Sequence, residues 1–225
     1  MLANSRLPTS AQTSSHPQLP RLLARHLGAP FRKPYADYNR AAFEASQERR
    51  ERLAPKAPLI LDAGCGVGES SIALALAFPE HYVIGVDQSA ARLARGKTDE
   101  ILPKHLPNLD LVRADLVDYW RLLHDAGIRL DRHYLLYPNP WPKIGHLSRR
   151  WHGHPVFSSL LALGGVLECR SNWRIYVEEF CLAVETVTKH PARCEIYTPE
   201  RALTPFERKY GASGHALFRT IIDLG

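Results

Sequence analysis

The stretch Leu61-Asp62-Ala63-Gly64-Cys65-Gly66-Val67-Gly68-Glu69 decides how this chain is read. It closes the short apolar run Leu59–Asp62, which reads as a strand, and opens Glu69–Ala77, which has helical spacing. Glycines at alternate positions let the backbone turn sharply and let a ligand come close to the main chain. A dinucleotide-binding turn carries G-x-G-x-x-G/A and seats a pyrophosphate on the helix that follows. Here the sixth position is Glu69, and the third glycine falls one place early, at Gly68. Asp62 stands two residues before Gly64. A carboxylate there repels a pyrophosphate and attracts the ammonium of a methionine-like group. The pattern D-x-G-x-G-x-G therefore favours S-adenosyl-L-methionine over NAD as the cofactor.

Working outward, short apolar runs alternate with helical stretches. Tyr82–Asp87 reads as a strand and Ala90–Leu102 as a helix; Asp110–Arg113 is a strand and Leu116–Ala126 a helix. His133–Tyr137 is a strand that stops at Pro138. Pro155–Leu163 is helical, Val166–Arg170 a strand and Trp173–Lys189 a long helix, with final strands at Glu195–Tyr197 and Ala216–Ile222. This alternation predicts an α/β fold of Rossmann-like type with a mostly parallel sheet and right-handed crossovers. No helix is evident between the last two strands, so one antiparallel strand is expected near the C-terminus. Asp87 ends its strand 23 positions after Gly64, where a carboxylate meets ribose hydroxyls in such folds. Asp115 follows the third strand and reads either as an acceptor for an adenine amine or as a helix N-cap, two compatible roles.

Before residue 55 the chain is different. Residues 1–20 are rich in Ser, Thr, Pro and Gln and read as a flexible arm; residues 21–54 read as a helical extension, and the main domain as 55–225. The whole chain has 225 residues, 45% hydrophobic and 23% charged, enough to build a core without disulfides or metals. No apolar run approaches the ~18 residues of a membrane span, and no signal-peptide core opens the chain, so a cytoplasmic location is expected. The four cysteines form no C-x-x-C pair and read as free thiols. His146, His152 and His154 lie close in sequence, but no thiol or carboxylate accompanies them, so no metal site is expected. Nothing in the sequence fixes the oligomeric state, and a monomer is the default expectation.

The fourth strand runs into Tyr137-Pro138-Asn139-Pro140-Trp141-Pro142-Lys143. Three prolines just past a parallel strand make a rigid loop over the crevice where open α/β sheets bind ligands. Asn139 and Trp141 are placed to face the reacting group. The segment that follows holds Lys143, His146, Arg149, Arg150, His152 and His154 with no acid. It reads equally as a phosphate-contacting patch or as a solvated basic loop. Together with Arg21, Arg25, Arg32 and Lys33, the residues Lys143, Arg149 and Arg150 are expected to form an electrostatic footprint for an RNA backbone. The net charge of +6 permits such a partner.

The run Tyr137–Lys143, followed by Arg149-Arg150, and the late segment Thr204-Pro205-Phe206-Glu207-Arg208 resemble the bacterial tRNA (guanine-N7-)-methyltransferases over roughly residues 55–225. That family carries an F-P-D-P-W-x-K signature with a basic tail, and a T-x-F-E-R motif near its C-terminus. The resemblance implies a class I S-adenosyl-L-methionine-dependent methyltransferase fold and tRNA as the partner. It implies Asp62, Asp87 and Asp115, with the glycines Gly64, Gly66 and Gly68, as cofactor-binding residues. It implies Lys143 and Thr204–Glu207 as substrate-binding residues, with position 139 catalytic and position 172 at the substrate. Two departures stand out: family aspartates are replaced by Asn139 and by Asn172, and Ile144-Gly145 thin the basic tail.

Guanine N7 has a free lone pair, so attack on a sulfonium methyl needs no general base and rests on positioning. The methylated base is cationic, and an asparagine supplies one acceptor and no charge to it. The departures therefore leave other readings open. Asn-Pro before an aromatic is also the loop of amine N-methyltransferases, whose acceptor is a different nitrogen on RNA, protein or a small molecule. A non-catalytic RNA-binding protein is the third reading.

Overall fold

The computed structural model describes residues 5–29, 31–98 and 106–225. Strand β1 (Leu59–Ala63) is buried along its whole length, as a strand covered by helices on both faces must be. Beside it lies β2 (Tyr82–Asp87), equally buried, and then β3 (Leu109–Arg113). On the other side of β1 come β4 (Arg132–Leu136) and β5 (Val166–Ser171), then β7 (Leu217–Asp223) and β6 (Glu195–Tyr197) at the far edge. The order is β3-β2-β1-β4-β5-β7-β6. All pairs from β3 to β5 are parallel, and β7 runs antiparallel to both of its neighbours. The expected antiparallel strand is thus β7. The sheet reverses direction of growth between β1 and β4, and their carboxyl ends diverge there into a crevice.

The covering helices are α3 (Glu69–Ala77), α4 (Ala90–Thr98), α5 (Leu116–Asp125), α6 (Phe157–Ala162) and α7 (Arg174–Thr188), preceded by α1 (Leu19–Leu27) and α2 (Asp37–Leu53). Of the helix expected over Ala90–Leu102, the part past Thr98 lies outside the described residues. An eighth helix, α8 (Pro205–Ala212), separates β6 from β7, contrary to the expectation of no helix there. Its signal is in the sequence: Thr204-Pro205-Phe206-Glu207 is an N-cap, a first-turn proline and an acid at the third position. The Thr204 hydroxyl accepts from the Glu207 amide at 3.0 Å. Residues 143–154, expected as a loop, form two 3-10 turns at Ile144–Arg149 and Trp151–Gly153.

α3 and β2 approach closely because position 85 is glycine. A Cβ on Gly85 would lie 2.2 Å from the Ser71 hydroxyl and 2.8 Å from a Leu111 methyl. On the opposite face Trp120 is fully buried, edge-on to Trp151 at 4.8 Å. Its indole N–H donates to His133 Nε2 at 3.1 Å. Burial pushes His133 down to about 3, which keeps that nitrogen a lone-pair acceptor.

The segments before β1 are built into this body. α1 packs on α7 through Leu19 and Leu23, and α2 packs on α5 and β3. Asn39 is buried; its Nδ2 donates to Asp118 at 2.6 Å and its Oδ1 accepts from the Asp115 amide at 2.9 Å. Residues 5–18, read from sequence as an arm, lie against the fold at several points. Ser10 donates to the Pro142 carbonyl at 2.6 Å, and the His16 amide donates to Glu179 at 2.8 Å. Residues 1–4 lie outside the described residues.

Candidate active site

The crevice at the carboxyl ends of the strands is a cavity of about 850 Å³. The turn after β1 forms its floor. Gly64, Gly66 and Gly68 all have positive φ (82°, 62° and 85°), which an L side chain adopts only with strain. The amides of Gly64 and Cys65 both bond the Val86 carbonyl, at 2.8 and 3.0 Å, so the turn is pinned to the end of β2. Nothing lies within 4 Å of a Cβ built on Gly66, so the space above the turn is open.

Asp87, at the end of β2, is on the cavity wall and almost wholly buried. Its carboxylate accepts from the Gly66 amide at 3.0 Å, the Ser89 amide at 2.7 Å and Arg92 at 3.1 Å. These donors fix its rotamer. Asp115 also lines the cavity, and its Oδ1 caps α5 by accepting from the Val117 amide at 2.9 Å. The N-cap role is therefore present, alongside whatever its other oxygen meets. His154 shares this wall. Burial, with help from nearby His26 and Lys33, pushes it down to about 4 against the pull of Asp115.

Asp62 is placed differently. It is 1% exposed and off the cavity wall, and one oxygen accepts from both the Ser70 and Ser71 hydroxyls at 2.6 Å. Burial pushes its carboxyl up, and the two serines only partly oppose that. Its direct role is to tie the first turn of α3 to β1 beneath the glycines. Glu69, where a dinucleotide fold needs a small residue, meets Arg208 of α8 in an ion pair with Arg208 Nη2 at 2.9 Å from Oε2. That pair ties α8 to α3.

The loop after β4 makes the second wall. Tyr137, Pro138, Asn139, Pro140 and Trp141 all line the cavity, and Tyr137 and Trp141 carry positive φ of 51° and 45°. Two buried carboxylates hold this unfavourable backbone. Glu207 is 1% exposed and accepts from the Tyr137 hydroxyl at 2.8 Å, from Arg170 at 3.0 Å, from the Leu203 amide at 2.6 Å and from the Tyr197 hydroxyl. Burial raises its carboxyl, but these donors outweigh burial and hold it below the usual range. Glu207 thus lies behind the wall and not on it, whereas Thr204, Phe206 and Tyr210 of the same segment face the cavity.

The second carboxylate, Glu179 of α7, carries no signal in the sequence. It is fully buried with Arg150 and His152, at 2.5 and 2.8 Å. Arg150 also donates to the Trp141 carbonyl through Nε and Nη2, both at 3.2 Å, and to Gln12 at 3.0 Å. Arg150 is therefore not part of an RNA-facing surface, contrary to expectation; its charge is spent inside the protein holding the loop. Arg149 next to it is exposed, lines the cavity and lies 4.8 Å over the Trp141 ring. Lys143 is exposed but off the cavity wall, while Arg21, Arg25, Arg32 and Lys33 are exposed on α1 and the turn after it. The three histidines of the segment have separate surroundings: His146 against Trp141, His152 on Glu179, His154 against Phe31. Among the described residues no group of three or more His, Cys, Asp or Glu side chains is placed to hold a metal, and no helix is long and apolar enough to cross a membrane.

The two asparagines share the cavity. Asn139 is exposed, and its Oδ1 accepts from the Trp141 amide at 3.3 Å. Asn172, just after β5, is 6% exposed and lies 3.2 Å from His215 Nδ1 through its Nδ2.

A seven-stranded sheet in this order, with one antiparallel strand, a glycine turn after β1 and acids at the ends of β2 and β3, defines the class I S-adenosyl-L-methionine-dependent methyltransferases. The fold matches the solved 16S rRNA methyltransferase KamB with a TM-score of 0.56 at 18% identity, covering 85% of this chain and 95% of that one. A family model described as a putative methyltransferase matches residues 56–220. The tRNA (guanine-N(7)-)-methyltransferase of Treponema pallidum (strain Nichols) is 30% identical over 185 residues, 78% of this chain and 72% of that protein. The enzyme of the same name from Pseudomonas savastanoi pv. phaseolicola is 32% identical over 173 residues, 72% and 69% of the two chains. The chain belongs to the family of tRNA (guanine-N(7)-)-methyltransferases, and its cofactor is S-adenosyl-L-methionine.

Proposed function

We propose that this chain transfers the methyl group of S-adenosyl-L-methionine to N7 of a guanine in tRNA, as a cytoplasmic enzyme that acts as a monomer. The observation that carries the reading is one cleft with two ends. Gly64, Gly66 and Asp87 lie at one, and Asn139, Asn172 and an aromatic wall lie at the other. The residues present fit the cofactor. The open space over Gly66 admits close approach, and the fixed Asp87 carboxylate suits a ribose diol. Asp115 is placed for the adenine end, and Gly68 and Asp62 shape the turn from below. When bound, the cofactor supplies an electrophilic methyl on a sulfonium.

The protein's own part is orientation. N7 needs no deprotonation, and Tyr137 on the cleft wall is not a base: burial and its neighbours Tyr197 and Glu207 push its hydroxyl far up, so it stays neutral. Trp141 and Tyr137 are held rigidly by the Arg150–Glu179 and Glu207 clusters, and such fixed walls are what in-line transfer requires. Arg149, Lys143 and the exposed cations of α1 and the following turn supply backbone contacts for the RNA.

The test is methyl transfer to unmodified tRNA, with the product nucleosides identified by mass. 7-Methylguanosine is the expected product. Asn139→Asp keeps the acceptor toward Trp141 and replaces the outward NH₂ by a negative oxygen, so the rate should rise about tenfold or more as the cationic product is stabilised. Methylation of a different nitrogen, or tRNA binding with no transfer, sinks the proposal.

A further inference from the structure

The orientation of the Asn172 amide is decided by His215, and the choice bears on which base the cleft takes. His215 sits in the turn between α8 and β7, its ring stacked on Tyr210 at 5.5 Å and 12° between planes. Its Nε2 lies 3.0 Å from the Ser5 carbonyl oxygen. A carbonyl only accepts, so Nε2 carries the proton, and in a neutral ring Nδ1 is then a lone pair. That lone pair lies 3.2 Å from the Asn172 amide. Only the NH₂ end of the amide can face it; the Oδ1 end would set two lone pairs against each other. The nitrogen of Asn172 is therefore spent on His215. No hydrogen bond from the described residues reaches its oxygen, and the residue lines the cleft. Asn139 has the opposite arrangement. Its oxygen is held by the Trp141 amide, which leaves its NH₂ as the free end.

We propose that His215 is a positioning residue that locks the Asn172 amide with its carbonyl toward the cleft, so that the site selects its base by polarity. A ring N–H, as at N1 of guanine, is accepted; a ring nitrogen lone pair, as at N1 of adenine, is refused. The proposal rests on the reading of the cleft as a guanine site and adds to it the group that sets the recognition. A carboxylate at position 172 would accept from either oxygen and would need no such lock. With an asparagine the two ends differ, and a flipped amide would present a donor to guanine N1–H. Leaving that N–H unpaired in a closed site is what makes the wrong orientation costly.

The experiment compares tRNAs carrying guanosine, inosine or 2-aminopurine at the methylated position, with wild type and with His215→Phe. All three bases keep N7. Inosine keeps N1–H and loses the 2-amino group, whereas 2-aminopurine keeps the 2-amino group, lacks O6 and has a lone pair at N1; the missing O6 is common to wild type and variant, so the change in ratio between them reads N1. For wild type, kcat/KM should fall less than about fivefold for inosine and about tenfold to hundredfold for 2-aminopurine. In His215→Phe the ring stack on Tyr210 is kept and the lock is gone. The guanosine to 2-aminopurine ratio should then collapse by about tenfold, because the amide is free to turn. An unchanged ratio, with both substrates slowed alike, would show that His215 is only structural and would overturn the proposal while leaving the methyltransferase reading intact. If wild type transfers nothing to guanosine, the functional reading fails instead. The lock is then judged by ¹⁵N NMR of the His215 ring: a protonated Nε2 with a bare Nδ1 is required, and the Nδ1–H tautomer refutes it.

Discussion

Replacing Glu179 by alanine should cost about 3–5 kcal/mol, because it strips the partner from a charge with no access to water. Arg150 and His152 are both fully buried against the Glu179 carboxylate, and Gln12 and the His16 amide bond its other oxygen. Domains are stable by about 5–15 kcal/mol, so this single change removes a large share. For a chain of this size each kcal/mol moves Tm by about 2–4 °C, so the midpoint should drop by roughly 6–20 °C. Glu179→Gln keeps an acceptor and loses the charge, and should fall about halfway. The double change Arg150→Met, Glu179→Leu removes both charges and should recover part of the loss, since an apolar pair can replace a buried ion pair while the His152, Gln12 and His16 donors still lack their acceptor.

The same cluster sets an acid limit. Burial raises the Glu179 carboxyl, but the hydrogen bond from His152 and the Arg150 charge outweigh it and hold it at about 2, against an ordinary 4.5. A carboxyl lowered on folding stabilises fully above its unfolded value, and the benefit fades as pH falls from about 5 to about 2, roughly 3 kcal/mol in all. His152 acts with the same sign: burial lowers it, so protonation as pH drops below about 6.5 also favours unfolding. Urea midpoints of wild type and variants across pH 3 to 8 check this. A Tm change under about 4 °C for Glu179→Ala, with a double variant no better than the single, would refute the reasoning.

Asp87→Ala should weaken S-adenosyl-L-methionine binding by ~1–3 kcal/mol, since it removes a charged acceptor already oriented by three donors; calorimetry measures it, and an unchanged Kd would remove Asp87 from the site. Gly85→Ala forces a Cβ to within 2.2 Å of the Ser71 hydroxyl that holds Asp62, so about 1–3 kcal/mol of stability should go, read from the urea midpoint. Arg149→Ala should weaken tRNA binding and lower the slope of log K against log salt by about 1, with thermal stability unchanged. Arg150→Ala should do the reverse, costing stability before it costs any phosphate contact; equal salt slopes for the two variants would contradict the buried placement of Arg150.

What the sequence determined by itself is local. The glycine spacing 64–66–68, the apolar runs and their helical separators are short-range patterns, and backbone sterics and burial act on them directly. Strands β1, β2 and β6 and helix α3 were legible to within a residue for that reason. So was Asp87, because the end of a strand and the start of a helix fix where its carboxylate lies. Helix α8 was also written locally, in the capping pattern Thr204–Glu207, which reads as a motif and conceals a helix start. The remaining features depend on pairs of residues far apart in the chain. Asp62 and Glu207 carry motif positions that suggest ligand contact, yet Ser70 and Ser71 claim the first, and Tyr137, Tyr197 and Arg170 the second. Arg149 and Arg150 are neighbours of one type. One faces the cleft and the other is neutralised by Glu179, twenty-nine positions later. The orientation of Asn172 depends on a histidine 43 residues on and a carbonyl at residue 5. A charge or an amide has no fixed role until its partner arrives, and the partner is supplied by the packing of α7, α8 and the N-terminal segment, which no local pattern specifies.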